Sequence, residues 1–592
     1  MKLFIVETDL QEKEFSGFFK NYSEVILLSP LPAIQEKYKK LDVEVISTLD
    51  VFSNEDHFYV TQEIFKTLAG LQISPHTNSA FHHLRYYLHL ELSYIGYLLR
   101  MIQQTVIAND IKEIHFFSTY IQDLSFPKLL DSEQPLLFFT TPWEKSGIKI
   151  QVHTIAKKNK LVFFQSNFIL EKTLYYLQKI NLALIDKKLS LCITSTLFPT
   201  FENLLKKLNT PLLLLWYGDN FILGQKVNIL KRIALSLFSF LNIILHKMTG
   251  TMISLGRKKI SPLAIIDLPS LAINSPKLMV KITLKNNDLF LNQFDLSNFL
   301  SKKIDDSLQK SVNRLMTMAQ GLNLFFKSFT HLQGHFPHTL NSSYLLAEWL
   351  KENKHEVVIT SHGSHVVPKN EIEKLDFKLH GEGLILGPQT QNQVQSKYAS
   401  DYLNFYSVQT QQNLTGPLLW GVDLKSPPFV RDALKIPHDA QVILHASTFK
   451  SRDAFRIHMY ETPEEYVQTI LQLVEAIKSL ENHYLIIKFR PRSSLSINDL
   501  TALLEKHPRV IIESQWAFIQ VLKESNLLVS FSSTAIEEAL VLNKQVLLFG
   551  GRGRMNYLSA PINTFNQSHI AFCNDEKFLE KLLLERSVNG SV

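Results

Sequence analysis

Along most of its length the chain alternates short apolar runs with polar or helical stretches, a rhythm that restricts it to helices layered on parallel sheets. Leu3–Val6, Val25–Leu28 and Val43–Ile46 are such runs, and helical stretches around Gln35–Lys40 and Glu63–Leu71 lie between or after them. Glu113–Phe117, Leu136–Thr140 and Leu161–Gln165 continue the pattern. At 592 residues the chain exceeds one ordinary core, so several domains are expected. The reading is an N-terminal α/β domain over 1–160, of undisclosed role, a second domain over 161–425 and a third over 426–592.

The second domain opens on Leu189–Thr196, a strand ending in hydroxyls, and runs through Pro211–Asp219. Leu308–Phe329 carries Leu, Met and Phe at helical spacing, and Gln389–Tyr398 is a polar stretch. Gly416–Pro428 has the Gly and Pro content of a connection. Gln441–Thr448 then starts a fresh unit, with strands at Tyr484–Phe489, Val510–Glu513, Leu527–Ser530 and Val546–Phe549. Two Rossmann-like halves joined near residue 425 would hold a ligand in the cleft between them, at the carboxyl ends of their strands.

Leu527–Phe549 reads as strand, hydroxyl-rich turn, acidic helix and strand. Ser532, Ser533 and Thr534 are helix-capping types, and Glu537 and Glu538 fall in the first turns. A helix N-terminus offers unpaired N–H groups and partial positive charge to a diphosphate, and a carboxylate slightly further in can accept from ribose hydroxyls. A plain capped βαβ unit would show the same letters. Each strand of this unit ends in polar or basic residues: His445, Ser447, Thr448 and Lys450 after the first, Lys488, Arg490 and Arg492 after the second. Lys488–Arg492 is a candidate pyrophosphate clamp, with a solvated basic loop as the bland alternative. In the second domain, Val357–His365 is a strand ending in a Gly turn that should expose His362, Ser364 and His365. Glu382, in His380–Gly383, is a second cleft-edge candidate and Asp219 a weaker one. An imidazole there has a pKa suited to general base work.

Ser532–Leu540 followed by Asn543–Leu548 resembles the donor-site segment of GT-B glycosyltransferases and of UDP-N-acetylglucosamine 2-epimerases. The resemblance implies a GT-B-like fold, a phosphate role for Ser532, Ser533 and Thr534, and ribose binding by Glu538. Lys488–Arg492 resembles the Lys-x-His-Pro element of capsule Kdo transferases and CDP-glycerol glycerophosphotransferases. Arg490 replaces their His, so no proton-transfer role carries over to it. The turn at His362 resembles the His-Gly-Thr-Pro turn of the glycerophosphotransferases, with Ser364-His365 in place of Thr-Pro. It implies a general base at His362, with Glu382 as the rival.

What the resemblance implies is a metal-independent glycosyltransferase moving a sugar from a nucleotide-sugar donor to a glycan or lipid-linked acceptor of a bacterial surface, lipopolysaccharide or capsule. The alternatives are a CDP-glycerol-type glycerophosphotransferase and a non-catalytic scaffold of a polysaccharide assembly complex. A formal charge of +7 suits an anionic ligand or membrane face. Dense basic blocks interleaved with aromatics are missing, which argues against nucleic acid. Cys192 and Cys573 alone exclude a disulfide scaffold or Cys-based zinc site and fit a reducing cytoplasm. No His-x-x-x-His or carboxylate cluster suggests a metal, and neither a P-loop nor a Gly-x-Ser-x-Gly elbow is present. The N-terminus shows no secretory signal. Lys231–Lys247 is too short an apolar stretch to span a bilayer and reads as a buried helix. The alternative is an interfacial helix with Lys231, Arg232 and Lys247 at lipid headgroups, giving peripheral contact with the cytoplasmic face of the inner membrane.

Overall fold

The computed structural model describes residues 1–7, 9–74, 78–118, 141–154, 168–195, 201, 204–205, 208, 210–216, 229–249, 251–253, 262–267, 281–284, 290–291, 294–295, 297, 309–340, 342–361, 363, 365–419, 430–450, 455–491, 494–565 and 569–587. Leu136–Thr140, Leu161–Gln165, Asp219 and the connection from residue 420 onward lie outside the described residues.

Three parallel sheets carry the molecule. The first comprises β1 (Lys2–Ile5), β2 (Val25–Leu28), β3 (Glu44–Ile46), β4 (Glu113–Ser118) and β5 (Lys149–Thr154), in the order β3-β2-β1-β4-β5. The second comprises β6 (Leu191–Thr194), β7 (Leu212–Trp216), β8 (Ala264–Asp267), β9 (Leu332–Phe336), β10 (Glu356–Ile359), β11 (Gln391–Val394) and β12 (Gln411–Leu414). Its order is β12-β11-β10-β9-β6-β7-β8. The third comprises β13 (Gln441–His445), β14 (His483–Lys488), β15 (Val510–Glu513), β16 (Leu527–Ser530), β17 (Gln545–Leu548) and β18 (Ile570–Phe572), in the order β15-β14-β13-β16-β17-β18. In each sheet the chain builds outward in one direction, returns to the middle and builds outward in the other. This leaves switch points at β1/β4, β6/β9 and β13/β16, where an open α/β sheet has its ligand crevice. Strands such as β16 and β17 are buried at every residue, which is why they read as unbroken apolar runs.

The second and third units share one core. Val366, Phe377, Ile385, Val394 and Leu403 of the second pack with Val430, Ile536, Met555 and Tyr557 of the third. The first unit is joined to the third through a polar seam. Glu464 Oε1 accepts from Ser47 Oγ (2.6 Å), and its Oε2 accepts from the Thr48 N–H (2.9 Å), the Thr48 hydroxyl and Gln35 Nε2 (2.9 Å). Glu465 Oε1 bonds Arg554 Nη1 (2.6 Å) and His57 Nε2 (3.2 Å), and its Oε2 accepts from the Thr462 N–H (2.9 Å). The Arg552 guanidinium caps the Leu49 and Phe52 carbonyls at 3.0 and 2.8 Å.

Three elements differ from the sequence expectation. Asn78–Ala108 is a 31-residue helix, buried on several sides and carrying His82, His83, His89 and Glu91 inside the fold. Such a helix shows no clean polar face to betray it. The polar stretch Gln389–Tyr398 contains β11, whose amides pair instead of projecting into water: Gln391 Nε2 donates to Glu356 (2.6 Å) and Asn392 Nδ2 to Thr410 Oγ1 (2.8 Å). Glu382, read only as a cleft-edge residue, ends a helix, Glu371–Glu382, capped by Asn370.

Candidate functional site between the second and third sheets

The β13/β16 switch point brings two hydroxyl-rich strand ends together. The Phe531 N–H donates to Ser447 Oγ (2.8 Å), and Ser530 Oγ donates to the Ala446 carbonyl (2.8 Å). Ser532 Oγ donates to the Met459 carbonyl (2.6 Å). Ser533 takes an extended conformation, accepts from the Ala535 N–H (3.3 Å) and opens the Thr534–Val541 helix. Ser447, Ser532 and Ser533 are therefore neighbours, and their hydroxyls knit the crevice floor. Thr448 and Thr534 are half-buried.

The two adjacent glutamates part company. Glu538 is half-buried, whereas Glu537 is fully enclosed and reaches the second unit, where the Ser396 hydroxyl and His365 N–H bond its carboxylate. Burial pushes the Glu537 carboxyl up to about 7, against those two bonds, and neighbouring Glu538 adds to the rise. Its Oε1 has no donor. On the opposite wall Ser361 Oγ lies 2.7 Å from His365 Nε2, and Gln395 Nε2 donates to the Ser361 carbonyl (2.5 Å). The Gly turn thus does not expose His365, which is 1% accessible and set against the Tyr402 ring at 5.1 Å. His362 and Ser364 lie outside the described residues, flanking Gly363.

The basic run is split. Lys488 ends β14, on the side of β13 away from β16, and its Nζ lies 3.7 Å from Glu513. Burial lowers the Lys488 ammonium while Glu513 opposes that shift. Arg490 is exposed, and Arg492 lies outside the described residues. Glu382 is held by the first unit's long helix, with His82 Nδ1 and Arg85 Nη1 each 3.7 Å away. Burial alone would raise its carboxyl, but His82 and Arg85 hold it below the ordinary carboxylate range, which weakens it as a proton acceptor.

A further buried junction joins the three units. Arg456 Nη2 donates to Asp376 Oδ1 (2.6 Å) and to the Asp376 carbonyl (2.5 Å), joining the third unit to the second. His89 Nε2 of the first unit lies 3.4 Å from the same carboxylate, and His458 Nε2 lies 3.8 Å from Glu373. Burial would raise Asp376, yet the Arg456 guanidinium holds it below the usual range. Burial depresses His89 to about 4, so it is neutral. Arg456 Nε and Nη1 and Asp376 Oδ2 find no partner in hydrogen-bonding geometry, although the Tyr460 hydroxyl is close to the guanidinium. These residues lie on three separate stretches of chain, and no local spacing announces them.

Beyond β17, Gly550, Gly551, Arg552 and Gly553 all take positive φ. The Gly551 N–H donates to Glu461 Oε1 (3.1 Å), and a Cβ on Gly550 would come within 2.6 Å of that oxygen. Only glycine allows this approach. Among the described residues no group of three His, Cys, Asp or Glu side chains could hold a metal ion.

No protein-family model matches the chain, and no curated protein does either. Solved structures similar to it include the UDP-GlcNAc 2-epimerase from Methanocaldococcus jannaschii, at 12% identity and a TM-score of 0.37 over 68% of this chain and 93% of that one. The UDP-GlcNAc 2-epimerase from Neisseria meningitidis bound to UDP-GlcNAc gives 12% identity and 0.35 over 67% and 90%. The wall teichoic acid polymerase TagF gives 9% and 0.34 over 71% and 87%.

Proposed function

We propose that the chain is a glycosyltransferase that takes a sugar from a nucleotide-sugar donor and transfers it to a glycan or lipid-linked acceptor of the bacterial surface, lipopolysaccharide or capsule, from the cytoplasmic side of the membrane. One observation carries the reading: the capped N-terminus of Thr534–Val541 opens at the β13/β16 switch point, with the half-buried Glu538 beside it and the second unit's strand ends opposite. In this proposal the diphosphate rests on that helix end, with Thr534, Thr448 and the basic residues Lys488, Arg490 and Arg492 around it. Glu538 accepts from the ribose hydroxyls. Ser447, Ser532 and Ser533 hold the crevice in shape.

His362 withdraws the acceptor hydroxyl's proton, and the oxygen attacks the anomeric carbon. The bond from that carbon to phosphate breaks, its electron pair leaving with the nucleotide, whose negative charge the helix end and the basic residues stabilise. Glu382, already ion-paired, positions the first unit instead of serving as base. The test is thermal stabilisation by UDP-, GDP-, CMP- and dTDP-linked sugars. A ligand at 100 times its Kd should add about 2.7 kcal/mol. Stabilisation by one nucleotide class supports the proposal, and no shift with any of them favours the scaffold alternative.

A further inference from the structure

The Ile229–Thr249 helix packs inward through Leu235, Phe238 and Ile243 and also through polar side chains. Its protein-facing side carries Ser236, Ser239 and Asn242, all fully buried. Asn181 Nδ2 donates to the Ser236 carbonyl (2.9 Å), and Ser239 Oγ accepts from the Ile265 N–H (2.9 Å). Asn242 Nδ2 donates to the Pro262 carbonyl (2.8 Å), and its Oδ1 accepts from the Ile253 N–H (2.9 Å). These bonds fix the rotation of the helix about its axis.

The outward side is apolar. Leu230, Leu237, Leu241 and Met248 are 63%, 48%, 57% and 78% exposed. Their spacings of seven, four and seven residues return to one line on a 3.6-residue helix. Phe240 on this helix, and Tyr176 and Ile180 on the adjoining Phe168–Leu184 helix, widen the stripe. A contiguous apolar surface of this kind marks an interaction site. Its charges are one-sided: Lys172, Lys179, Lys231, Arg232 and Lys247 lie on the two helices, with Glu171 the sole acid. No helix among the described residues is long and apolar enough to cross a membrane.

We propose that this face lies flat on an anionic lipid bilayer, with Leu230, Leu237, Leu241 and Met248 below the headgroups and the lysines among the lipid phosphates. A stripe of leucines bordered by lysines is the pattern of an interfacial helix. The inference goes beyond the transfer reaction and does not depend on it, because bilayer binding requires no nucleotide.

Co-sedimentation of the full chain with phosphatidylglycerol–phosphatidylcholine vesicles and with pure phosphatidylcholine vesicles tests it. The parent should bind the anionic vesicles and release as salt rises. Removing an inserted leucine lowers partitioning about tenfold, so the Leu237→Ser/Leu241→Ser protein should lose most binding while melting at the parent's temperature. Lys231→Gln and Lys247→Gln should each cost about fivefold on anionic vesicles alone. Parent protein left in the supernatant, or a leucine variant that binds as the parent does, overturns the proposal. So does a parent that dimerises through this face, loses the dimer in the leucine variant and ignores vesicles.

Discussion

Two of the polar interfaces between the units differ in how their carboxylates are matched. At the seam between the first and third units every carboxylate oxygen of Glu464 and Glu465 has a donor. At the cleft between the second and third units Glu537 Oε1, Asp376 Oδ2 and two Arg456 nitrogens have none. Buried polar atoms are ordinarily matched, because an unmatched one forfeits its hydration without return. The seam is not wholly matched either, since Asn54 Oδ1, whose amide nitrogen donates to the Arg552 carbonyl there, has no donor. The cleft side thus leaves polar atoms unmatched that the seam's two carboxylates do not.

The largest effect should come from breaking the cleft's ion pair. Arg456→Ala leaves Asp376 buried and uncompensated and should cost about 3–5 kcal/mol in chemical denaturation. A loss below 1 kcal/mol would mean water already screens the pair and the cleft is not a dry junction. At the seam, Glu464→Ala strands the donors of Gln35, Ser47 and Thr48 and should cost about 1–3 kcal/mol. If the seam acts apart from the crevice, this variant should keep nucleotide-induced stabilisation, and loss of that response would show the two interfaces to be one cooperative device.

pH separates them further. The Glu537 carboxyl is raised to about 7, so the folded state holds its proton more tightly than the unfolded chain. Its stabilising contribution is complete below the ordinary carboxylate pKa and lost as pH rises through about 7. Glu537→Gln should abolish about 1–3 kcal/mol of that alkaline loss, measured as the difference in unfolding free energy between the two proteins from pH 5 to pH 8. His57 at the seam is depressed to about 4 by burial and by Arg554, with Glu465 opposing. Its contribution is present above the ordinary histidine pKa and lost as pH falls through about 4. Protection factors of the amides around His57, referred to the intrinsic exchange rate at each pH, should accordingly fall on acidification from pH 7 to pH 4. Constant protection there would leave the seam without the assigned titration.

Much of the third sheet was legible because its strands are buried on both faces and read as apolar runs, and because Ser533 is a strong capping type. The choice between Glu537 and Glu538 was not. It depends on the phase the cap gives the helix, which turns Glu537 inward beside Ala535 and Ile536. β11 hid behind its glutamines and asparagine, whose hydrogen bonds to Glu356 and Thr410 exist only once the neighbouring strands are in register. The long Asn78–Ala108 helix was missed since its histidines and Glu91 look like surface residues until three units close around them. Arg456 and Asp376 are distant in sequence, and only the packing of the halves unites them.

Titration calorimetry of the parent, Glu538→Ala and Glu464→Ala with the nucleotide sugar that stabilises the parent tests the central claim most directly. A charge-assisted hydrogen bond to ribose is worth about 1.5–3 kcal/mol, or roughly 10–100-fold in affinity. Glu538→Ala should lose that much while Glu464→Ala binds as the parent does. Equal affinity in the parent and Glu538→Ala would place the nucleotide elsewhere and contradict the assignment of the cleft as the donor site.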